Sequence, residues 1–354
     1  MRRAVARVDL GAIERNCARL RRDLRDGAAL CAVVKADGYG HGATESARAA
    51  HAGGATWLAV AAAQEAAELR AAGVPGPILV MGALSVSELD IALDADADVV
   101  AWRLGFLERI GHRAARVHVK LDSGMGRLGT RDPAEANAVL AGVRGADSLV
   151  LAGAMTHFAT ADELGDDFFG EQLERFRAWA PDDVQRHAAN SAGTLRDPEA
   201  HFEMVRCGIA VYGMDPFQED PAARTLEPAL SLRSYVADVK PIAAGESAGY
   251  GRRFVARQPT NLAVLPIGYG DGVRRGLTNN AEVVIGGRRY PLVGTVSMDT
   301  VTIDVGAEPE VAPGDEATLI GEGITAEEVA RRLDTINYEV TCGITARVPR
   351  DHVR

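Results

Sequence analysis

Eight short apolar runs recur along the first two-thirds of the chain and constrain its fold more than any other feature. Helix-like segments such as 43–52, 64–72, 133–143 and 169–179 lie between them. Buried parallel strands read as continuous apolar runs, and the helices between them supply right-handed crossovers. Eight strand–helix units predict an α/β fold with an N-terminal (β/α)8 TIM-type barrel; a doubly wound sheet would not require eight. The runs are Leu30–Val34, Trp57–Ala61, Ile78–Met81, Asp98–Ala101, Val117–Leu121, Leu149–Met155, Val184–Ala188 and Met204–Val211.

After Leu226 the sequence changes character. Gly and Pro become more frequent, and the apolar runs favour strands joined by turns. We therefore predict two domains, a barrel over 1–225 and a C-terminal, mainly-β domain over 226–354, with segment 1–9 able to pack with either. The strand-like runs of the second domain are Leu230–Val239, Leu262–Ile267, Glu282–Ile285, Thr300–Val305 and Ala317–Ile320.

One helix is predicted in the β-rich domain, over Ala326–Leu333. Thr325 precedes it as an N-cap, and Glu328 stands three residues later. This spacing is the signature of a capping box, in which each side chain satisfies a backbone N–H near the other residue.

Composition excludes several classes of protein. The formal net charge is −10, with 49 acidic and 39 basic side chains, so the chain lacks the cationic surface of a nucleic-acid binder. No apolar run is long enough to span a membrane, and the first residues lack the apolar stretch of a signal peptide. The cysteines are scattered without a CxxC pair, which predicts neither a metal site nor a disulfide framework. We expect a reduced, cytoplasmic protein.

Polar residues follow several of the barrel runs where the strands should end. A barrel enzyme keeps its chemistry at the C-terminal ends of its strands. A lone lysine or histidine there usually has a structural role, and only their convergence indicates a site for an anionic ligand. Lys120 is unusual, because a charge inside a barrel strand needs a partner or a modification. The converging residues are Lys35, Lys120, Arg127, His157, Asn190, Ser191 and Arg206.

Specific motifs extend this pattern over both domains. The segment AVVKADGYGHG at 32–42 resembles the cofactor-lysine signature of the alanine racemase family. The segments HVKLDSGMGRLG at 118–129 and RCGIAVYG at 206–213 resemble two further blocks of that family. In the β-rich domain the family-like segments are AGYG at 248–251, IGYGDG at 267–272, VSMD at 296–299 and NYE at 337–339.

The resemblance implies a cofactor, pyridoxal 5′-phosphate (PLP), held covalently by Lys35. Arg206 would donate a hydrogen bond to the pyridine nitrogen, and His157 would orient Arg206. The protein would then orient the cofactor and tune its electronics. The remaining cofactor contacts implied by the resemblance are Tyr39, Asn190, Ser191, Tyr338 and the backbone N–H groups of Gly208 and Ile209.

The resemblance also implies a two-base exchange of the Cα proton of alanine in a homodimer with shared active sites. Lys35 would serve the D-isomer and Tyr250, reaching the partner subunit's site, the L-isomer. Arg127 and the backbone N–H of Met298, which would also come from the partner subunit, would bind the substrate carboxylate, and a carbamylated Lys120 would pair with Arg127. Tyr269 and Asp299 would support this site.

Three other readings stay open at this point. A PLP-dependent decarboxylase of basic amino acids shares the domain plan, but an acidic residue usually faces its pyridine nitrogen, where this chain has Arg206. A small PLP-carrier protein lacks a β domain. A racemase of broader specificity is disfavoured by Tyr338 and Met298, to which the family's narrow pocket is attributed.

The resemblance also implies a physiological role. The expected product, D-alanine, would serve peptidoglycan synthesis.

Overall fold

The computed structural model describes residues 2–354 and divides them into two compact units. Ile13–Val211 form what we call the barrel unit; the β unit combines the described residues up to Ala12 with Tyr212–Arg354. The predicted domain boundary at 225/226 stays a prediction. No helix within residues 2–354 has both the length and the apolar content needed to cross a membrane.

The barrel unit is a parallel, nearly closed eight-stranded barrel, as predicted. Consecutive strands from β2 to β8 are neighbours, and β9 returns to pair with β2. Backbone hydrogen bonds from Glu203 to Arg186 and from Arg206 to Ala189 join the segments across the remaining gap. After β1 (Ala4–Asp9), the barrel strands are β2 (Ala29–Val33), β3 (Trp57–Val60), β4 (Ile78–Val80), β5 (Asp98–Ala101), β6 (Ala115–Lys120), β7 (Leu149–Met155), β8 (Gln185–His187) and β9 (Met204–Cys207).

One helix precedes β2 and the others fill the crossovers between the barrel strands; the four that the sequence predicted are confirmed to within one residue. Local signals explain their starts: the Asp132 side chain caps one helix, and Pro133 occupies its first turn. The helices are Leu10–Asp23, Ala43–Ala52, Ala63–Ala71, Val86–Asp94, Leu104–Ile110, Pro133–Arg144, Phe168–Trp179 and Ser191–Arg196.

The last barrel strand is shorter than predicted. The apolar run Met204–Val211 suggested one strand, but β9 ends at Cys207 and a 3-10 helix occupies Ile209–Tyr212. Both segments are buried, and a short apolar run does not distinguish a buried strand from a buried helical turn. The break at Gly208 matters because it turns the backbone at the end of the barrel.

The β unit is built on a nine-stranded, mainly antiparallel sheet in the order β11-β14-β17-β16-β15-β18-β10-β1-β19. β1 lies in this sheet, between β10 and β19. A separate two-stranded sheet pairs β12 with β13. The strands are β10 (Leu230–Tyr235), β11 (Asp238–Ile242), β12 (Ser247–Ala248), β13 (Phe254–Val255), β14 (Thr260–Leu265), β15 (Ala281–Ile285), β16 (Arg288–Val293), β17 (Val301–Gly306), β18 (Glu316–Ile320) and β19 (Arg350–Val353); the helices are Ala326–Leu333 and Asn337–Cys342.

The structure refines one local prediction in the β unit and contradicts part of another. The run Leu230–Val239 forms two strands, since β10 ends at Tyr235 and β11 pairs with β14 instead of β10. At the helix Ala326–Leu333, the Thr325 side chain accepts the Glu328 N–H at 3.2 Å, as predicted. The Glu328 carboxylate completes no capping box, because it is engaged by two arginines, Arg289 and Arg332.

Candidate active site

The polar residues predicted for the barrel lie at the C-terminal ends of its strands. This placement follows from β/α alternation, because every parallel strand presents its C-terminal end at the same rim. They are Lys35 after β2, Lys120 and Arg127 at and beyond the end of β6, His157 after β7, Asn190 and Ser191 after β8, and Arg206 within β9.

A left-handed turn immediately follows Lys35. Residues 36–39 all have φ between 52° and 62°, a region that residues other than glycine rarely adopt. Such strain persists only where surrounding contacts hold it, and Glu65 accepts the Ala36 N–H at 2.6 Å. The turn places the Lys35 ammonium 6.0 Å from the centroid of the Tyr39 ring.

Lys35, Lys120, Arg127 and Arg206 form a group of cations within electrostatic reach of one another. Burial, reinforced by the charges of Arg206 and Arg127, lowers the pKa of Lys120 to about 8. Within residues 2–354, no carboxylate forms an ion pair with Lys120, Arg127 or Arg206. Lys120 and Arg206 are buried, Lys35 is partly buried and Arg127 is exposed. A buried cation without an ion-pair partner is costly, so Lys120 and Arg206 favour an anionic ligand.

Arg206 is buried, and its hydrogen bonds hold the guanidinium in one orientation. Nη1 donates to both the carbonyl oxygen and Nδ1 of His187 at 2.8 Å. Nη2 donates to the carbonyl oxygens of Thr156 at 2.7 Å and Ala188 at 3.0 Å. Burial lowers the pKa of Arg206 to about 10, so the group stays cationic at neutral pH. The Nε–H binds no acceptor within residues 2–354 and is available to a ligand.

His157 contacts the same guanidinium. Burial and the charge of Arg206 lower the pKa of His157 well below its ordinary value, so the ring is neutral. Its Nδ1 lies 3.3 Å from Arg206 Nη2, a group that only donates, so the ring proton belongs on Nε2. Because the two hydrogens of Nη2 are directed to the Thr156 and Ala188 carbonyl oxygens, Nδ1 shares one of them. This contact supports the predicted orienting role.

Ser191, Gly208 and Ile209 form a cradle of donors beside Tyr39. Ser191 Oγ accepts the N–H groups of Gly208 at 3.0 Å and Ala210 at 3.3 Å, so its own hydroxyl hydrogen remains a donor. The Ile209 N–H has no acceptor within the described part of the chain. A side chain at Gly208 would collide with the Tyr39 hydroxyl, which explains the glycine. The Gly208 N–H itself is occupied by Ser191.

Asn190 has a structural task next to this cradle. Its Oδ1 accepts the Gly193 N–H at 2.9 Å and so caps the helix Ser191–Arg196. The cap fixes where the helix begins, and therefore where the Ser191 hydroxyl lies.

The predicted residues of the β unit lie on closely linked loops. The backbone N–H groups of Tyr269 and Gly270 donate to the carbonyl oxygens of Ser297 and Met298, each at 2.9 Å. Arg347 pairs with both loops, through Asp271 and Asp299. These contacts hold the segments 267–272 and 296–299 side by side.

Three of the predicted side chains in the β unit are open to solvent. Tyr250 is 75% exposed, Met298 51% and Tyr269 40%. The Tyr250 carbonyl oxygen accepts a hydrogen bond from Thr295 Oγ1 at 2.6 Å, so the backbone is held while the phenol is free to meet another surface. Tyr338 is half-buried on the helix Asn337–Cys342.

Sequence reasoning missed Asp98, His118 and His187. All three are fully buried inside the barrel and hydrogen-bonded in a chain that ends at Arg206. The sequence contains a signal for each of them. Asp98 begins an otherwise apolar run, and His118 and His187 each lie inside another apolar run.

The barrel unit gathers cations at the C-terminal ends of its strands, where barrel enzymes carry their active sites, and a mainly antiparallel β unit accompanies it. This is the architecture of a barrel enzyme with an anion-binding rim. Family models for the N-terminal and C-terminal domains of alanine racemase match residues 8–216 and 229–352. The chain belongs to the alanine racemase family.

Similar proteins match over nearly their whole length. The alanine racemase of Symbiobacterium thermophilum is 43% identical over 99% of this chain and 97% of its own. The crystal structure of alanine racemase from E. faecalis is 38% identical, with a TM-score of 0.94 over 99% of this chain and 98% of its own. The biosynthetic alanine racemase of Pseudomonas aeruginosa is 39% identical, with a TM-score of 0.92 over 100% of both chains.

Proposed function

We propose that the chain interconverts L-alanine and D-alanine with PLP as its cofactor. The group of cations at the barrel rim carries this proposal, because PLP brings a phosphate and the substrate a carboxylate, and both need charged or N–H donors. Membership of the alanine racemase family supports alanine as the substrate. We infer that the reaction supplies D-alanine for peptidoglycan in the cytoplasm.

The residues of the barrel unit fit PLP group by group. Lys35 offers an amine to the aldehyde, the Ser191 hydroxyl and the Ile209 N–H are donors for the phosphate, and the Arg206 Nε–H is a donor for the pyridine nitrogen. Tyr39 and Tyr338 are proposed as further phosphate donors. Bound PLP makes the Cα proton acidic by delocalising the electron pair that its removal leaves. Because arginine keeps its proton, Arg206 leaves the pyridine nitrogen unprotonated, which moderates this effect and discourages transamination.

Racemisation needs a proton carrier on each face of Cα. Lys35 takes the proton of the D-isomer, and Tyr250 of the partner subunit takes that of the L-isomer. The exposure of Tyr250 and Met298 supports a homodimer, because apolar surface at an active-site loop is suited to cover by a second copy. Arg127 and the N–H of the partner subunit's Met298 hold the substrate carboxylate, and Tyr269 orients Tyr250.

The test is to follow optical rotation while the purified, PLP-loaded full chain acts on L-alanine. We expect the rotation to fall to zero as both isomers reach equal concentrations. The protein should be yellow and elute as a dimer in size-exclusion chromatography. A PLP-loaded dimer that leaves alanine unchanged, or that releases CO2 from lysine or ornithine, would contradict the proposal.

We further propose that Lys120 is carbamylated. The neutral amine attacks CO2, a nitrogen–carbon bond forms and one proton leaves, so that a cation becomes an anion able to pair with Arg127. With a pKa of about 8, roughly one Lys120 in ten is neutral at pH 7, whereas an ordinary lysine is almost entirely charged. The lowered pKa therefore favours modification.

Carbon-13 NMR with labelled bicarbonate can detect this carbamate. We expect one slowly exchanging carbamate resonance that strengthens as the pH rises from 7 through about 8, because more of the amine is neutral. It should be absent from Lys120→Arg and present in Lys240→Arg, which changes an exposed lysine. An unchanged resonance in Lys120→Arg would contradict the assignment.

A further inference from the structure

A chain of buried polar side chains crosses the barrel interior and ends at Arg206. His118 Nε2 lies 3.1 Å from Asp98 Oδ2, and His118 Nδ1 lies 2.8 Å from His187 Nε2. His187 Nδ1 lies 2.8 Å from Arg206 Nη1. The four residues come from β5, β6, β8 and β9, and we call Asp98, His118 and His187 the relay.

The barrel leaves space for this crossing at one glycine. His118 on β6 pairs in register with Gly153 on β7, and His187 lies on the strand beyond. A side chain at Gly153 would collide with His118 Nδ1, so the glycine opens the path between the two imidazoles. The His118 and Trp57 rings also pack nearly perpendicular to each other, with their centroids 5.7 Å apart. Packing therefore holds the relay in this position.

Proton bookkeeping gives the relay a single direction. Arginine only donates, so His187 presents an unprotonated Nδ1 to Arg206 and carries its proton on Nε2. His187 Nε2 then donates to His118 Nδ1, which must be unprotonated. His118 therefore carries its proton on Nε2 and donates it to the Asp98 carboxylate, so all the contacts are satisfied with one proton on each ring. Burial lowers the pKa of His187 well below its ordinary value, in agreement with a neutral ring.

Asp98 is held at the far end by a cation of its own. Arg116 Nε lies 2.6 Å from Asp98 Oδ1, and Arg116 is partly exposed whereas Asp98 is fully buried. The two oxygens of Asp98 thus face two donors, one on Arg116 and one on His118. Only a carboxylate can accept from both.

We propose that Asp98, His118 and His187 are positioning residues that hold the Arg206 guanidinium with its Nε–H free for the cofactor. With the ring protons on Nε2, the relay presents an acceptor, His187 Nδ1, to Arg206 Nη1. With the ring protons on Nδ1 instead, two donors, His187 Nδ1–H and Arg206 Nη1–H, would face each other. The link to the cofactor rests on the proposed function, whereas the proton positions do not.

Nitrogen-15 NMR of the histidine rings in the full-length holoenzyme tests the relay itself. We expect both His118 and His187 to carry their proton on Nε2 and to lack one on Nδ1. Either ring protonated on Nδ1 in the wild-type protein would overturn the proposal. This measurement requires no variant and no turnover, so it stands even if variants fold poorly.

Asp98→Asn tests whether Asp98 sets the direction. A carboxamide has one accepting oxygen and one NH2 group, so it cannot accept from both Arg116 and His118. We expect a new population in which His118 and His187 carry their proton on Nδ1. The unchanged wild-type pattern in a folded Asp98→Asn protein would overturn the directing role.

Function is tested by the ratio of pyruvate formed to alanine racemised, with Arg206→Glu as the comparison. We expect Asp98→Asn to displace Arg206 and therefore to lower kcat by roughly tenfold or more. It should also raise the ratio of pyruvate to racemised alanine, as Arg206→Glu does. The control His201→Asn removes a buried histidine bonded to Arg25 and Thr194, outside the relay, and should leave the ratio unchanged.

Different results would contradict the proposed role of Arg206 toward the cofactor and the positioning role of the relay. If Arg206→Glu leaves the pyruvate ratio unchanged, the proposed role of Arg206 toward the cofactor fails, while the ring nitrogens still decide the relay. If Arg206→Glu changes the ratio and Asp98→Asn does not, despite reversed rings, the positioning role is overturned.

Discussion

Replacing Lys35 with alanine is expected to lower racemisation in both directions by more than about 10⁴-fold, because one residue supplies both the tether for PLP and a proton carrier. The purified variant should be colourless after desalting. Its circular dichroism and dimeric elution should match those of the wild type, since Lys35 lies in a turn held by Glu65 and not in the core. Polarimetry on both isomers measures the effect.

The composition of the chain offers an unusually clean control for this prediction. The sequence contains three lysines, Lys35, Lys120 and Lys240. Borohydride reduction should therefore fix the pyridoxyl group on one of three possible tryptic peptides, and we expect the one containing Lys35. Lys240 is exposed in the β unit, so Lys240→Ala should keep full activity and colour. A pyridoxyl group on Lys120 instead would refute the assignment of Lys35.

Much of the barrel could be predicted because its signals are local. A buried parallel strand such as Asp98–Ala101 appears as an apolar run, and a helix such as Pro133–Arg144 begins with its own cap. The rim residues followed from the same reasoning, since strand ends converge in any β/α barrel. Lys35, Lys120 and Arg206 were therefore placed on one rim without knowledge of side-chain geometry.

What escaped prediction depends on register and on competing partners. The hydrophobic pattern shows which residues point inward, but not that His118 crosses Gly153 to meet His187 two strands away. The capping box failed because Glu328 has Arg289 and Arg332 as alternative partners. The boundary inside Leu230–Val239 carries no Gly or Pro, so only the pairing of β11 with β14 reveals it.

Tyr250→Phe should separate the two faces of the reaction. Racemisation should fall by about 10²–10⁴-fold in both directions, because each direction needs both proton carriers. In D2O, D-alanine should still gain deuterium at Cα without inversion, since Lys35 can remove and return a proton on its own face. L-Alanine should lose this exchange. Tyr235→Phe, elsewhere in the β unit, is the matched control, and NMR integration of the Cα–H signal measures both rates.

Exchange is the informative measurement because mirror-image isomers are equally stable. At equilibrium their concentrations are equal, so kcat/KM must be the same for both isomers in every variant, and overall rates cannot reveal an asymmetry. Equal loss of exchange from both isomers would contradict separate carriers on the two faces.

Mixing inactive variants decides whether the second carrier comes from the other subunit. In a heterodimer of Lys35→Ala and Tyr250→Phe chains, a shared site would combine the intact Lys35 of one chain with the intact Tyr250 of the other. The opposite site would lack both. Random pairing makes half of the dimers mixed with one working site each, so co-expression should restore about a quarter of wild-type activity. If each site used its own chain's Tyr250, every site would lack one carrier and no activity would return.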